Sequence, residues 1–263
     1  MIYKRIISFG DSFTWGSELD DCLEHEPKEI IANPEKYQQE YKIIRDRKIG
    51  PFSEVNLYGE YKSLKTGHSL NTWPALIAKH FNLDYYCQSQ PGCSNQTIIR
   101  KITKFLSELT TNDLVIIDWT FQDRWDYYDT NDPYFENGWK TLTPTSTTHT
   151  KIEKFYFEQI QSETWNKWES LRAIMLACYM LQSKNIKFFM TCEDKLIFDT
   201  TYHAPLYAIT AQNEIKDNIF WFDNKGFNSW ASEKNFKRGQ NNHPLEEAHQ
   251  AAFEYIINNY EFT

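Results

Sequence analysis

Apolar residues along this chain fall into two kinds of pattern. Some form short unbroken runs, and others recur every three or four positions. Residues 4–9 (Lys-Arg-Ile-Ile-Ser-Phe) read as a buried strand that stops at Gly10. A helix is expected from Thr72, an N-cap residue type, with Pro74 pre-set for the first turn and Trp73, Leu76, Ile77 and Phe81 on its apolar face. Tyr85-Tyr86-Cys87 is a short strand candidate. After a loop from Gln88 to Ser94, the spacing of Ile98, Ile99, Ile102, Phe105, Leu106 and Leu109 predicts a second helix. Leu114-Val115-Ile116-Ile117 is continuous in the way a strand covered on both faces must be. Trp165, Trp168, Leu171, Ile174, Met175, Cys178 and Leu181 predict a long helix over 164–183. Ile186 to Thr191 gives another buried strand, and a closing helix is expected from about Pro244 to Asn259.

Strands alternating with helices imply right-handed crossovers and a parallel sheet with helices on both faces. The expected fold is therefore a single α/β domain over residues 1–263, a three-layer αβα sandwich with a mainly parallel sheet wound as in flavodoxin. Three stretches break the alternation: 17–70 is polar and charged, 125–160 is rich in Tyr, Asp and Thr, and 200–240 mixes aromatics with Asn and Lys. Structureless loops of that length are uncommon in a compact domain. They are read as insertions with local structure, gathered as a partial lid over the carboxyl edge of the sheet.

Composition narrows the function classes. The formal net charge is −8, with 36 Asp and Glu against 28 Lys and Arg, and no basic run offers the charge a polyanion needs, so a nucleic-acid partner is not expected. No apolar run reaches the ~20 residues needed to span a bilayer, and none near the N-terminus resembles a secretory leader. The five cysteines are odd in number and contain no C-x-x-C pair, which favours a reducing, cytoplasmic setting over a disulfide framework or zinc site. Aromatics form 16% of the chain, more than a core of this size needs, so aromatic-lined surface is expected as well. Oligomeric state cannot be read from the sequence.

The most informative segment is Gly10-Asp11-Ser12-Phe13-Thr14-Trp15-Gly16. A strand ending in Gly-Asp-Ser places a hydroxyl at the carboxyl edge of the sheet, where open α/β sheets bind ligands. There a serine becomes a nucleophile if a base lies within hydrogen-bond reach. Alone, the three residues are equally a turn. The rest of the chain resembles the SGNH (GDSL) hydrolases in order: Gly10-Asp11-Ser12 as the first block, Trp73-Pro74-Ala75-Leu76-Ile77-Ala78 as the first helix, Pro91-Gly92-Cys93-Ser94-Asn95 as the glycine block, and Asn241-Asn242-His243-Pro244 as the His-Pro segment. The resemblance implies Ser12 as nucleophile and His243 as its base. It also implies an oxyanion hole from the backbone N–H groups of Ser12 and Gly92 and the side chain of Gln122, with no cofactor or metal. Two features depart from the family pattern. Gln122 stands where the third block has Asn, and Gln240 and Asn241 stand where an Asp precedes the His. Asn241 is therefore the candidate to orient the His243 ring.

Other residues are read as structural. His243 and His249 lie six positions apart, about 240° round a helix, and cannot share a metal from one face; His249 is read as a helix-packing or surface residue. His25 among Asp20, Asp21, Glu24 and Glu26 is a solvated acidic face, Cys93 an inert thiol, and the sequon at Asn95 a chance match. The implied function is hydrolysis of a small ester or an O-acylated carbohydrate. Two alternatives share the scaffold: a catalytically weak glycan-binding module, suggested by the missing acid, and an acyltransferase.

Overall fold

The computed structural model describes residues 3–22, 32–38, 68–129, 139–144 and 151–262. The core is a four-stranded parallel sheet of β1 (Arg5–Phe9), β2 (Asp84–Cys87), β3 (Asp113–Trp119) and β6 (Lys187–Cys192), in the order β2-β1-β3-β6. A parallel bridge from Met190 to Ile219 extends it by one further, vestigial position. This is the flavodoxin-type winding, with the reversal of direction at β1. A separate antiparallel hairpin pairs β4 (Trp125–Tyr128) with β5 (Trp139–Leu142).

Alternate strand residues feed two cores, which is why both faces read as apolar. Ile7, Val115, Ile117 and Met190 face one layer of helices: α3 (Asn95–Phe105), α5 (Glu163–Ser183) and α6 (Leu206–Ile215). Ile6, Leu114, Ile116 and Phe189 face the other: α2 (Trp73–His80), α7 (Phe227–Glu233) and α8 (Glu246–Asn259). Thr72 caps α2 by position only. Its side chain makes no capping bond, and the Trp73 N–H donates instead to His249 Nδ1 at 3.3 Å. Burial depresses the pKa of His249 to about 3, so the ring is neutral and free to accept.

The sequence expectation differs from the structure in the third irregular stretch. Residues 200–240 carry α6 and α7, whose Ala208, Ala211, Ile215, Phe227, Trp230 and Ala231 are buried in the two core layers. That stretch is part of the sandwich, hidden from a periodicity reading because α6, which packs against α5, buries mainly small or polar residues, Ala208, Ala211 and Gln212. Residues 125–160 contribute the hairpin, α4 (Lys151–Phe155) and a π-helical turn (Tyr156–Ile160). There Trp125 stacks on Tyr156 with ring centroids 4.4 Å apart, so these aromatics pair with one another. Most of 17–70, including Glu24, His25 and Glu26, lies outside the described residues. No described helix is long and apolar enough to cross a membrane.

Candidate active site

β1 delivers the chain to the carboxyl edge of the sheet, where α1 (Ser12–Trp15) forms a single helical turn. Asp11 caps it, its Oδ1 accepting the Phe13 N–H at 2.9 Å, and Gly16 closes it in the left-handed region at φ +83°. Gly10 is required by space: a Cβ there would lie 2.2 Å from Thr14 Oγ1. The other Asp11 oxygen accepts from Thr120 Oγ1 at 2.6 Å and from Arg124 Nη1 at 2.8 Å. Arg124 Nη1 also donates to the Cys93 carbonyl at 2.9 Å. One fully buried carboxylate thus ties together the loops after β1, β2 and β3.

Ser12, 6% exposed, meets a histidine from the far end of the chain: His243 Nε2 lies 2.8 Å from Ser12 Oγ. The expected start of the last helix at Pro244 moves to Glu246. An antiparallel bridge from Arg238 to Pro244 and a bond from the Gly239 N–H to the His243 carbonyl hold His243 in an extended turn. The His243 ring also packs edge-on against Phe13, centroids 5.1 Å apart.

The expectation for Asn241 is corrected. His243 Nδ1 lies 2.7 Å from Glu18 Oε2, and Asn241 faces Glu18 rather than the ring. Its backbone N–H donates to Glu18 Oε1 at 2.8 Å and its side-chain Nδ2 at 3.3 Å, while the His243 N–H reaches Oε2 at 3.4 Å. An amide neighbour of the histidine is therefore the holder of the carboxylate. Burial acts to raise the Glu18 pKa, but hydrogen bonds from the Asn241 N–H and from His243 outweigh it and hold the carboxyl below its usual range. Glu18 itself has φ +69°, and Gly239 makes room for it: a Cβ at 239 would lie 2.6 Å from its carboxylate. Sequence reasoning missed Glu18 because it searched beside the histidine. The available signal was that no acid stood there, while an acid stood six residues after Ser12.

The remaining predicted residues lie at the same edge. Gly92 sits at φ +74° in a turn stitched to the Ser12 loop, with the Gln90 N–H and Cys93 Sγ both donating to the Gly10 carbonyl. A Cβ at Gly92 would meet nothing within 4 Å, so this backbone borders open space. Gln122, on the loop after β3, is buried; its Nε2 donates to Glu163 Oε2 at 3.2 Å and its Oε1 has no partner among the described residues. Asn95 is buried, its Oδ1 accepting the Thr120 N–H and its Nδ2 donating to the Thr120 carbonyl, which fixes the exit of β3 and leaves the Asn95 amide inaccessible. Burial pushes the Cys93 thiol far up, so it is no thiolate.

Beneath α1 lies a feature invisible in the sequence. Asp118, at the end of β3, and Glu193, just after β6, are both fully buried. Thr14 Oγ1 donates to Asp118 Oδ2 at 3.3 Å; among the described residues, Asp118 Oδ1 and both Glu193 oxygens have no N–H or hydroxyl donor. Two such carboxyls satisfy each other only by sharing a proton. Burial drives both upward, Asp118 to about 7 and Glu193 well above its usual value, with the Asp11 charge adding to the shift. Among the described residues no group of three or more His, Cys, Asp or Glu is arranged to hold a metal ion.

No family model matches the chain, and no curated protein matches its sequence. Solved structures similar to it include a member of the lipolytic protein G-D-S-L family from Veillonella parvula DSM 2008 (11% identity, TM-score 0.47, covering 99% of this chain and 100% of that one). Others are the psychrotrophic esterase EstA from Pseudoalteromonas sp. (10%, 0.44, 97% and 95%) and the acetyl xylan esterase Est2A from the rumen bacterium Butyrivibrio proteoclasticus (13%, 0.44, 97% and 64%).

Proposed function

We propose that this chain is a serine ester hydrolase with a Ser12–His243–Glu18 triad, acting on a small ester or an O-acylated carbohydrate. The observation that carries the reading is the His243 ring. One nitrogen is 2.8 Å from the Ser12 hydroxyl and the other 2.7 Å from a carboxylate. That is the relay a weak oxygen nucleophile needs.

In the first half-reaction His243 Nε2 takes the Ser12 proton as Oγ attacks the ester carbonyl carbon. The oxyanion of the tetrahedral intermediate is held by the backbone N–H groups of Ser12 and Gly92 and by the Gln122 amide. The intermediate collapses, the alkoxide leaves with the proton from Nε2, and the acyl group remains on Ser12. Water then attacks the acyl carbon by the same route in reverse, releasing the acid. Glu18 stays ionised throughout. It keeps the proton on Nδ1, so that Nε2 faces serine as a base, and it stabilises the imidazolium. The binding-module alternative drew on an acid missing beside His243, and Glu18 supplies that charge from elsewhere in the chain. The carbohydrate class is supported by the exposed ring of Trp165, two residues beyond Glu163 at the start of α5.

Turnover of a chromogenic acetyl ester tests the reading. The wild-type chain should hydrolyse it and Ser12→Ala should not; equal rates for the two would end it. Product analysis with added sugar acceptors separates hydrolysis from acyl transfer.

A further inference from the structure

We propose that Glu163 is a positioning residue for ester hydrolysis: by accepting a hydrogen bond from the Gln122 amide, it fixes which end of that amide faces the oxyanion. The proposal rests on the reading of Ser12 as nucleophile and Gln122 as third oxyanion donor.

A glutamine side chain ends in a broad, roughly two-fold torsion, so its NH₂ and C=O ends exchange places at little cost unless a neighbour distinguishes them. The difference matters here. The NH₂ end stabilises a developing oxyanion, and the carbonyl oxygen would repel it. Glu163 distinguishes the ends because an ionised carboxylate only accepts. Its Oε2 lies 3.2 Å from Gln122 Nε2, and flipping the amide would set two oxygens against each other. One hydrogen of the NH₂ is engaged by Glu163 and the second remains for the substrate oxygen. Gln122 is only 8% exposed and its Oε1 has no partner among the described residues, so the Glu163 contact is the one polar bond that selects its orientation. Glu163 is in turn placed by its helix. It is the first residue of α5, where the dipole favours a negative charge, and the Ser162 side chain caps that end by accepting the Trp165 N–H.

The test is steady-state hydrolysis of p-nitrophenyl acetate by the wild type, Glu163→Ala, Gln122→Ala and the double variant, with circular dichroism as a check on folding. Losing an oxyanion donor costs about 10²-fold in kcat, and losing its orientation should cost roughly tenfold, with KM unchanged. The proposal expects that loss in Glu163→Ala and no further loss when it is added to Gln122→Ala. Independent, multiplying losses would overturn it, as would wild-type kcat in Glu163→Ala beside an impaired Gln122→Ala. Wild-type kcat in Gln122→Ala would instead remove Gln122 from the oxyanion hole and the proposal with it, leaving the nucleophile untouched. If Glu163→Ala does not fold, Glu163→Gln carries the test. Its amide donates as well as accepts, so it no longer selects one orientation, and kcat should again fall at constant KM.

Discussion

Replacing Glu18 by glutamine should damage catalysis more than replacing it by alanine, although glutamine is the closer mimic. The reason lies in what holds the carboxylate. Oε1 accepts from both the backbone and the side chain of Asn241, at 2.8 and 3.3 Å, whereas Oε2 faces His243 Nδ1 at 2.7 Å. A glutamine amide has one oxygen, and the Asn241 backbone N–H at 2.8 Å, a fixed donor aided by the Asn241 side chain, outcompetes the longer His243 backbone N–H at 3.4 Å for it. Its NH₂ group then points at Nδ1, which must become the acceptor. That moves the ring proton to Nε2, where it faces Ser12 Oγ and leaves no base for the hydroxyl. The corresponding acid-to-amide change in serine proteases costs about 10⁴ in kcat through this wrong tautomer, some 5 kcal/mol of transition-state stabilisation. In Glu18→Ala water can accept the Nδ1 proton, so the productive tautomer survives and the loss should be smaller by roughly tenfold. The assay is kcat and KM for a p-nitrophenyl ester at neutral pH with all three proteins matched for folded content. An alanine variant slower than the glutamine variant would refute the tautomer argument. Unchanged kcat in Glu18→Gln would remove Glu18 from the mechanism.

The buried Asp118–Glu193 pair predicts alkaline destabilisation. Because the folded-state pKa of Asp118 is raised from 3.8 to about 7, its protonated form contributes stability that is complete below 3.8 and lost as pH rises through about 7. Thermal melts should therefore give a lower Tm at pH 8 than at pH 5, and Asp118→Asn should flatten that difference; a flat wild-type profile would contradict the shared proton. Arg124→Ala leaves the Asp11 carboxylate buried without its cation, with an expected loss of about 3 kcal/mol in urea unfolding, and stability within error of wild type would show that the clamp carries no weight. Gly239→Ala should push a methyl into the Glu18 carboxylate and lower kcat by up to roughly 10²-fold, the scale on which 1 Å misplacements act, with little change in Tm. Unaltered kcat there would mean that the acid's position is not critical.

What the sequence made legible is what is encoded locally. The central strands β1 and β3 announce themselves by their apolar residues, because burial on both faces leaves little polar alternation, whereas the edge strand β2 is largely exposed. Ser12 and His243 sit in short segments whose residue types fit a tight exit from a strand and an entry to a helix. Glu18 was not legible: it contacts a residue 225 positions away, its backbone adopts a left-handed conformation that Glu rarely takes, and the space for it depends on Gly239. Asn241 stands two residues before the histidine yet pairs with Glu18, since spacing along the chain says nothing of which way an amide turns. The helices Leu206–Ile215 and Phe227–Glu233 were missed for a different reason. Leu206–Ile215 buries Ala208, Ala211 and Gln212 beside Ile215, a face too small and polar to read as a stripe, and Phe227–Glu233 is seven residues long, too short for Phe227, Trp230 and Ala231 to stand out as one.

The central claim is that Ser12 is an activated nucleophile, and covalent labelling tests it most directly. Intact-protein and peptide mass spectrometry after treatment with a fluorophosphonate should find one adduct, on the peptide containing Ser12. Labelling should vanish in Ser12→Ala and slow sharply in His243→Ala. An adduct on another residue, or undiminished labelling of Ser12→Ala, would contradict the account.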